Sequence, residues 1–443
     1  MSETSGPFAP GFVERPYWWE AAPPTLAEIP LPDTAEVAII GGGIAGLATA
    51  LELGRNGIKA LVIDREPIGW GASSRNGGAL SGAGSLGKVR SDLVEAFGAK
   101  FVSELAAEGE QAFEDFEALV QREQLDCQYV RCGRFVGAHA PKAMEGLKRR
   151  AEMINATGSE EAFLVPRERV HEEIATDRYY GGMQLLRAAS LDPAKYVRSL
   201  AQAAERAGAT LVSGVEFRGQ HRKADGSFLV ETSRGPIRAR HLMMATNGYT
   251  GAAAPWHRRR LIPVASYMIA TEQIGEERVR AVLPKLRVYG DTKKILYYFR
   301  PSPDYTRVLF GGRASFVDGD TRRSAATLHR FMTDLMPDLA DVRLTHSWKG
   351  NVAFAFDMMP HVGVHDGIHY AMACNGSGVV TMTHFGRVAA QQIMGGGNSV
   401  SAFTRLKFPT KPFYNGTPWF MPIVGTAYQL RDRLDGWHVK GRR

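Results

Sequence analysis

The chain is poor in cysteine. Only three of its 443 residues are cysteines, and an odd, sparse set is typical of proteins from a reducing compartment that lack structural disulfides. Cys127 and Cys132 do not form a C-x-x-C pair, and Cys374 is far from both, so no zinc site is expected. We therefore expect a cytoplasmic protein without a bound metal ion.

The sequence also lacks a continuous apolar run of the roughly 20 residues that a transmembrane helix needs, so no membrane span is expected. Residues 1–24 have no basic start followed by an apolar core, which argues against a secretory signal. We expect this segment to be an arm laid over the surface and anchored by Tyr17, Trp18 and Trp19.

Basic residues exceed acidic ones by 54 to 46, which gives a net charge of +8. Part of the excess lies in residues 256–260 and 436–443, where either nucleic-acid binding or an ordinary solvated surface is possible. Because no nucleic-acid-binding motif accompanies these residues, we expect no nucleic-acid partner. The length favours two domains.

The segment from residue 36 to residue 66 has β-α-β order. The apolar run Val37–Ile40 predicts a buried strand, helical spacing of apolar residues predicts a helix over Ile44–Arg55, and Leu61–Ile63 predicts a second strand. Asp64 follows that second strand. This order is the setting in which a glycine-rich turn binds a dinucleotide.

The turn between the first strand and the helix has glycine at the positions of G-x-G-x-x-G: Gly41, Gly43 and Gly46. The first allows the tight turn, the second lets a pyrophosphate approach, and the third lets helix and strand pack closely. The helix N-terminus favours a phosphate, and Asp64 stands about 20 residues on, where an acid binds a ribose hydroxyl. These residues leave NAD and FAD equally open.

Two further regions complete the architecture expected from the residues. A strand over Ile368–Met372, a polar loop over Asn375–Gly378 and a helix over Val379–Met394 predict a second helix N-terminus that faces a ligand. Aromatic and alternating runs between residues 261 and 316 predict an antiparallel sheet separate from the parallel one.

An ordered set of motifs extends from about Tyr17 to Leu434, nearly the whole chain. They are Gly41–Gly46, Gly69–Gly78, Tyr297–Arg300, Phe310–Arg313, Trp348–Asn351, Met359–Pro360, Asn375–Val379 and Leu430–Leu434. In these motifs the chain resembles the D-amino-acid oxidase superfamily of FAD enzymes, which includes glycine oxidase and sarcosine oxidase. Within it, the chain is most similar to the bacterial gamma-glutamylputrescine oxidoreductase subfamily.

The resemblance implies FAD rather than NAD. It implies that the loop Arg75–Gly78 passes the isoalloxazine and pyrophosphate, and that the loop Gly376–Gly378 meets the flavin at a helix N-terminus. It also implies that the backbone of Val215 contacts adenine. The cofactor-binding residues that follow are Gly41, Gly43, Ile44, Ala45, Gly46, Asp64, Arg65, Gly71, Ala72, Ser73, Arg75, Asn76, Gly77, Gly78, Val215, Ala245, Gly248, Gly350, Asn375, Gly376, Ser377, Gly378 and Val379.

Two departures from the family pattern bear on the chemistry. Some relatives bind flavin covalently through Cys or His, but no His occurs in residues 73–85 and Gly350 stands about where a linking Cys would fall. Noncovalent FAD is therefore expected. Leu309 stands where oxidase relatives place a lysine that helps dioxygen react, so the electron acceptor could be dioxygen or a quinone.

The resemblance also implies residues around the substrate. The expected catalytic residues are Tyr298, Arg313 and Tyr267, and the expected substrate-binding residues are Tyr297, Tyr298, Arg313 and Trp348. Only one of the two adjacent tyrosines can face the flavin, because strand side chains alternate. Arg313 would hold a substrate carboxylate, with Arg300 as the alternative. Tyr267 and Trp348 could instead serve packing.

We therefore predict an α/β protein with a doubly wound, Rossmann-like FAD-binding domain and a second, antiparallel-sheet substrate domain. The FAD-binding domain would comprise residues 34–95, 160–250 and 345–400, and the substrate domain residues 96–159 and 251–344. Residues 1–33 would form an N-terminal arm and residues 401–443 a C-terminal extension.

The expected reaction is oxidation of the C–N bond of a secondary amine or amino acid by hydride transfer to flavin, followed by hydrolysis of the imine. A D-amino-acid or glycine-type dehydrogenase remains an alternative. A flavin-bound partner protein without turnover is an alternative of another class, which a pocket plugged by side chains would favour.

Overall fold

A computed structural model of the chain describes residues 6–81, 91–156, 161–313, 319–396 and 401–440. The first nine residues after Ser81, which belong to the predicted glycine-rich loop and the start of the next helix, lie outside these ranges. The helices are α1 (Ile44–Arg55), α2 (Ser91–Phe97), α3 (Ala99–Arg122), α4 (Pro141–Asn155), α5 (Pro193–Arg206), α6 (Pro255–Arg258), α7 (Glu276–Val282), α8 (Thr321–Leu335), α9 (Gly378–Gln391) and α10 (Met421–Lys440).

The strands fall into two large sheets and one small one. In chain order they are β1 (Phe8–Val13), β2 (Thr34–Ile40), β3 (Ala60–Ile63), β4 (Ala79–Ser81), β5 (Arg134–Gly137), β6 (Ala162–Val165), β7 (Gly182–Leu185), β8 (Ala188–Ser190), β9 (Thr210–Val212), β10 (Phe217–Arg222), β11 (Phe228–Thr232), β12 (Ile237–Met244), β13 (Ile262–Thr271), β14 (Val288–Asp291), β15 (Tyr297–Pro301), β16 (Val308–Gly312), β17 (Leu344–Phe354), β18 (His361–His365) and β19 (Ile368–Met372).

The first large sheet has a parallel centre in the order β19-β12-β2-β3-β9. The antiparallel strands β10 and β11 extend it on one side. One face is covered by α1, α3, α5 and α9, whose apolar side chains form the largest buried cluster. This arrangement is the doubly wound α/β architecture predicted from the β-α-β segment.

Helices α1 and α9 pack at very short range. A Cβ on Gly386 of α9 would lie 2.6 Å from the Cβ of Ala48 on α1, and the hydroxyl of Thr49 donates to the main-chain oxygen of Gly386 at 2.9 Å. Because both helices follow central parallel strands, this packing brings their N-termini to the same edge of the sheet.

The second large sheet has nine strands in the order β1-β17-β13-β16-β15-β14-β5-β7-β6, and most of its pairs are antiparallel. Its two faces differ. One face packs on α7 and α8 through residues such as Tyr267 and Phe310, and the other carries Met268 and Trp348 and meets the first sheet's loops. We call the second one the inner face.

The domain boundaries differ from those predicted. Strands β6, β7 and β17 lie in the nine-stranded sheet, although residues 160–250 and 345–400 were expected in the FAD-binding domain. Helix α3 packs into the core of the parallel sheet through Phe113 and Phe116, although residues 96–159 were expected in the substrate domain. The arm supplies strand β1, which pairs with β17. The local sequence pattern predicts that a segment forms a strand or a helix, but it does not predict which sheet that segment joins or packs on.

Within the described ranges, no helix has both the length and the apolarity required to cross a bilayer. In the same ranges, His, Cys, Asp and Glu side chains nowhere form a group of three or more suited to a metal ion.

Candidate functional site

The turn between β2 and α1 has room only for glycine at its three motif positions. Gly41 has φ +114°, and a Cβ there would lie 2.8 Å from the main-chain oxygen of Ala245. A Cβ on Gly46 would lie 2.1 Å from the main-chain oxygen of Gly41, and one on Gly43 would lie 2.7 Å from Oγ of Ser73. The backbone therefore approaches its neighbours closely at the α1 N-terminus, the kind of place where a phosphate is favoured.

Asp64 follows β3 directly, as predicted. Its carboxylate accepts the N–H of Gly42 at 2.8 Å and that of Glu66 at 3.0 Å, and burial raises its pKa. The N–H of Val215 donates to the main-chain oxygen of Asp64 at 2.9 Å. Asp64 and Val215 thus lie together at the carboxyl edge of the parallel strands, where an adenosine would be bound.

The hydroxyl of Ser73 accepts the N–H of Ile44, the first residue of α1, at 3.1 Å. Ser73 lies in a short helical turn, Ala72–Ser74, that begins after Gly71. The predicted cofactor segment 71–78 therefore folds back against the N-terminus of α1, next to Ala45. Arg65 is exposed at the edge of this region, where its nearest ionic partner is Glu66.

Two buried indoles hold the segment 71–78 in place. Trp18 of the N-terminal arm donates its indole N–H to the main-chain oxygen of Asn76 at 2.9 Å. Trp348, on the inner face of β17, donates to the main-chain oxygen of Arg75 at 2.8 Å. Trp348 is 2 % exposed. Its polar atom and its ring are both engaged beneath this segment, a position that lends no support to the predicted contact with substrate, which stays a prediction.

The guanidinium of Arg75 lies between two aromatic rings. It is 4.5 Å from the ring centroid of Trp19 and 4.0 Å from that of Trp70. Its Nε donates to the main-chain oxygen of Trp70 at 2.7 Å, and one Nη donates to that of Lys349 at 3.2 Å. Burial lowers its pKa. These contacts make Arg75 a brace of the loop that joins the two sheets.

Gly78 and Arg300 form the far end of the same loop. Gly78 has φ +65°, and a Cβ there would lie 2.1 Å from the main-chain oxygen of Leu191. The guanidinium of Arg300 is buried and donates to the main-chain oxygens of Gly78 at 3.1 Å and Leu191 at 2.7 Å. Arg300 therefore supports the backbone here, and its alternative role as the carboxylate-binding arginine is not supported.

The structure decides between the two adjacent tyrosines. Tyr298 faces the inner side, where its hydroxyl is 2.9 Å from Oγ of Ser266 and its ring lies 3.3 Å from the position of a Cβ on Gly77. Tyr297 points to the opposite face and stacks on Phe331 at 5.2 Å. Tyr298 therefore adjoins segment 71–78, which we call the flavin loop after its predicted role, whereas Tyr297 belongs to the core under α8, on the face away from that loop.

Tyr267 also lies on the face opposite the flavin loop. Its side chain is fully buried in the cluster beneath α8, and its hydroxyl accepts the N–H of Gly319 at 3.1 Å. Its neighbour Met268 occupies the inner face, as the alternation of strand side chains requires. This position favours the packing role of Tyr267 over the predicted catalytic one, which stays a prediction.

Arg313 comes directly after β16 and lies on the same side as Tyr298. Its guanidinium carbon is 4.9 Å from the ring centroid of Phe354, and burial lowers its pKa while Tyr428 and Tyr298 raise it. Among the residues that the structure describes, no carboxylate pairs with this guanidinium. Arg313 is thus a half-buried cation suited to an anionic ligand.

The C-terminal helix closes this end of the site, which the sequence did not indicate. Asp432 of α10 accepts the main-chain N–H groups of Lys294 and Ile295, both at 3.0 Å, immediately before β15. Tyr428, one turn earlier on α10, lies within electrostatic range of Arg313. The only signal in the sequence was that Asp432 belongs to a motif on which the family resemblance rested.

The second glycine-rich loop precedes α9, as predicted. Asn375 accepts the N–H of Ala355 at 3.1 Å through its side-chain oxygen, and Gly376 has φ +88°. Ser377 stands directly before the first helical residue, Gly378, with Val379 after it. The loop therefore presents backbone N–H groups at the edge of the parallel sheet where the first turn also lies.

Glycines also bring the two sheets close together. A Cβ on Gly248 would lie 2.6 Å from the main-chain oxygen of Asn351, and a Cβ on Gly350 would lie 3.4 Å from Cβ of Arg75. These contacts join the end of β12 and the middle of β17 to the flavin loop. The residues present fit a dinucleotide with an attached ring system that extends from Asp64 towards Tyr298.

Comparison with known proteins agrees with this fit. The FAD dependent oxidoreductase family matches residues 36–392. A probable oxidoreductase OrdL of Rhizobium meliloti is 30% identical over 97% of this chain and 99% of its own length. The gamma-glutamylputrescine oxidoreductase of Escherichia coli is 30% identical over 90% of this chain and 93% of its own length.

Among solved structures, glycine oxidase from Geobacillus kaustophilus superposes with a TM-score of 0.69. It is 20% identical and the match covers 87% of this chain and 99% of that one. The L-proline dehydrogenase of P. horikoshii gives the same TM-score at 18% identity, over 89% and 99% of the two chains. These likenesses confirm the fold class, and the family match together with the near full-length relatives shows that the chain belongs to the FAD-dependent oxidoreductases.

Proposed function

We propose that this protein binds FAD noncovalently and oxidises the C–N bond of a secondary amine or amino acid that carries a carboxylate. The observation that carries the proposal is that the side chains of Tyr298 and Arg313 lie on the same face of the sheet, the inner face, within electrostatic range of each other. Tyr298 lies against the flavin loop at Gly77, and Arg313 is a cation without a described carboxylate partner beside it. One group can contact the amine end of a substrate and the other its anionic end.

FAD would supply the hydride acceptor, after which the substrate imine is hydrolysed by water to a carbonyl compound and an amine. Arg313 would hold the substrate carboxylate with its planar fork and so fix which hydrogen faces the ring. Burial raises the pKa of Tyr298, so its phenol stays protonated at neutral pH and acts as a hydrogen-bonding group rather than as a base.

The segment 71–78 would hold the ring in register with these two side chains. Trp18 and Trp348 bind its main-chain oxygens from two different parts of the chain. Such support fixes the distance between the cofactor and the inner face, on which hydride transfer depends. Because both indoles are buried, they also keep water from that side of the loop.

Noncovalent attachment is supported by the residues at the linking positions. Gly350 has no side chain to form a bond with flavin, and a Cβ there would already lie 3.4 Å from Cβ of Arg75. The sequence has no His in residues 73–85. The N-termini of α1 and α9 provide the dipoles that would bind the pyrophosphate and the pyrimidine end of the ring.

The acceptor is proposed to be a quinone or similar carrier rather than dioxygen. Leu309 lies fully buried in the inner-face cluster with Met268 and Trp348. Its aliphatic side chain cannot supply the positive charge that would stabilise a developing superoxide anion near the flavin. On the same side, the guanidinium groups of Arg300 and Arg313 are engaged by main-chain oxygens and by the proposed substrate anion, respectively.

The experiment that tests the function is anaerobic mixing of the purified flavoprotein with a panel of amines, followed by the loss of flavin absorbance. The panel contains N-alkyl amino acids, D- and L-amino acids, glycine and γ-glutamyl conjugates of diamines. Rapid bleaching by an amine with a carboxylate supports the proposal. If none of these amines bleaches the flavin while dithionite does, amine oxidation is rejected.

A further inference from the structure

The inner face carries a third arginine besides Arg300 and Arg313: Arg134, which the proposed reaction does not use. It lies on β5, where the next residue, Phe135, points to the opposite face and packs in the cluster with Tyr289. Val136 packs against α4 on the other side. Because strand side chains alternate, Arg134 shares the inner face with Tyr298.

A glycine makes room for this guanidinium beside Tyr298. One Nη of Arg134 donates to Oγ of Ser81 at 2.9 Å. The other lies 3.0 Å from the position that a Cβ on Gly290 would occupy, and Gly290 pairs directly with Tyr298 across β14 and β15. A side chain at position 290 would press against this guanidinium, which the glycine leaves room for.

The charge of Arg134 is not neutralised within the described part of the chain. Its Nε is buried and has no hydrogen-bond partner there, and none of the described carboxylates pairs with it. Burial, with a smaller effect of Arg150, lowers its pKa to about 10, which still leaves it protonated at neutral pH. A buried cation without a counter-ion is costly, and an anionic ligand would remove that cost.

Arg134 and Arg313 are too far apart to bind the same carboxylate. Their strands, β5 and β16, are three positions apart in the sheet, which separates the backbones by about 14 Å at the usual strand spacing. The guanidinium of Arg134 leans onto β14 at Gly290, on one side of the strand that carries Tyr298, and that of Arg313 leans onto Phe354 of β17, beyond its other side. The two cations therefore flank Tyr298 from opposite sides.

We propose that Arg134 binds a second carboxylate of the substrate, so that the preferred substrates are amines with a carboxylate at each end. The inference rests on the proposed amine oxidation and refines its substrate class. One carboxylate is held at Arg313 near the reacting carbon, and the other reaches Arg134 at the far side of Tyr298. A spacer must separate the amine from the second carboxylate.

The test compares amines that differ only in the distal group. The holoenzyme is mixed anaerobically with N-butylglycine or with N-(3-carboxypropyl)glycine, and then with homologues of longer and shorter spacer. The concentration for half-maximal rate of flavin bleaching is measured. With the best spacer, the dicarboxylate is expected to act at a concentration lower by on the order of 30-fold or more.

Arg134→Gln is expected to raise the half-maximal concentration of the dicarboxylate to that of N-butylglycine, and to change the half-maximal concentration of N-butylglycine by no more than about twofold. Arg134→Lys is expected to keep part of the difference between the two amines. Arg149→Gln is the matched control, since it removes a neighbouring but exposed positive charge on α4. Flavin content and melting temperature are measured for each variant, and the wild-type comparison stands even if Arg134→Gln does not fold.

Two outcomes overturn the inference. In one, the wild-type enzyme shows no preference for a distal carboxylate at any spacer length. In the other, Arg134→Gln impairs the two amines equally, which would make Arg134 a support for Ser81. Either result leaves amine oxidation intact as long as N-butylglycine bleaches the flavin, whereas a flavin bleached by none of the amines rejects the proposed function itself.

Discussion

Trp348 donates its indole N–H to the main-chain oxygen of Arg75 at 2.8 Å, and this bond joins the middle of the nine-stranded sheet to the loop that would carry the flavin. The donor lies on β17 and the acceptor precedes Gly77 and Gly78. This buried hydrogen bond between residues far apart in sequence is thus one of the contacts that set the relative placement of the two halves of the site, together with those of Trp18, Arg75 and Arg300.

Trp348→Phe should keep most of the ring packing but leave the oxygen of Arg75 without its donor. An unsatisfied buried carbonyl costs about 1–3 kcal/mol, so we expect lower thermal stability and weaker FAD binding. Both are measured by melting with and without added FAD. Trp419→Phe is the control, because Trp419 is 63% exposed. Equal melting and FAD affinity for wild type and Trp348→Phe would contradict a bracing role.

Gly43→Val should yield apoprotein. The Cβ would lie 2.7 Å from Oγ of Ser73, and the added methyl groups would occupy the space that a pyrophosphate needs in front of α1. The ratio of flavin to protein after purification measures the effect. Gly146→Val, on the exposed side of α4 where nothing lies within 4 Å, should bind FAD normally. A Gly43→Val protein with stoichiometric FAD would show that the pyrophosphate lies elsewhere.

The flavin should be released completely by acid or heat precipitation of the protein. This follows from the glycine at position 350 and from the sequence of residues 73–85, which has neither His nor Cys. The absorbance of the supernatant at the flavin maximum, compared with that of the native protein, gives the released fraction. Flavin fluorescence that stays with the washed precipitate would indicate a covalent bond.

Reduced flavin should reoxidise slowly in air and quickly with an artificial quinone. The reason is the aliphatic side chain of Leu309, which is fully buried on the inner face and offers dioxygen no positive charge. Stopped-flow oxidation of the amine-reduced enzyme by air-saturated buffer and by a soluble quinone gives the two rates. Turnover with dioxygen that equals turnover with the quinone would refute this assignment.

Arg313→Ala should retain FAD but lose affinity for a substrate carboxylate. Truncating one partner of a half-buried charge pair costs about 2–5 kcal/mol, so kcat/KM should fall by roughly 30-fold or more. Arg313→Lys should rescue only in part, because an ammonium cannot make the planar two-point contact. Kinetics with the amine found in the anaerobic panel provide the measurement.

The control for Arg313 is a substrate pair rather than a second variant. For the analogue of the amine that lacks the carboxylate, kcat/KM should fall little when Arg313 is changed, since this analogue has no anion for the guanidinium to bind. If Arg313→Ala handles the carboxylated amine as well as the wild type does, Arg313 is not the carboxylate-binding residue and the inner-face assignment must be revised.

Sequence alone determined the local parts of the dinucleotide site. The predicted helix over Ile44–Arg55 coincides with α1, and Asp64 directly follows β3 as expected. These features depend on short-range rules: a glycine where no Cβ fits, apolar residues at helical spacing, and an acid after a buried strand. The loop before α9 was predictable for the same reason.

Tertiary structure decided which residues face the site. The sequence indicated that Tyr297 and Tyr298 point to opposite faces, but not which face meets the loop at Gly77; that depends on how the second sheet packs on the first. Likewise, the burial of Tyr267 beneath α8 and of Trp348 beneath Arg75 could not be predicted, because it involves residues far away in the chain. The alternation of side chains along a strand follows from local sequence. Which face of the strand meets the site, and which strand it pairs with, are set by long-range packing.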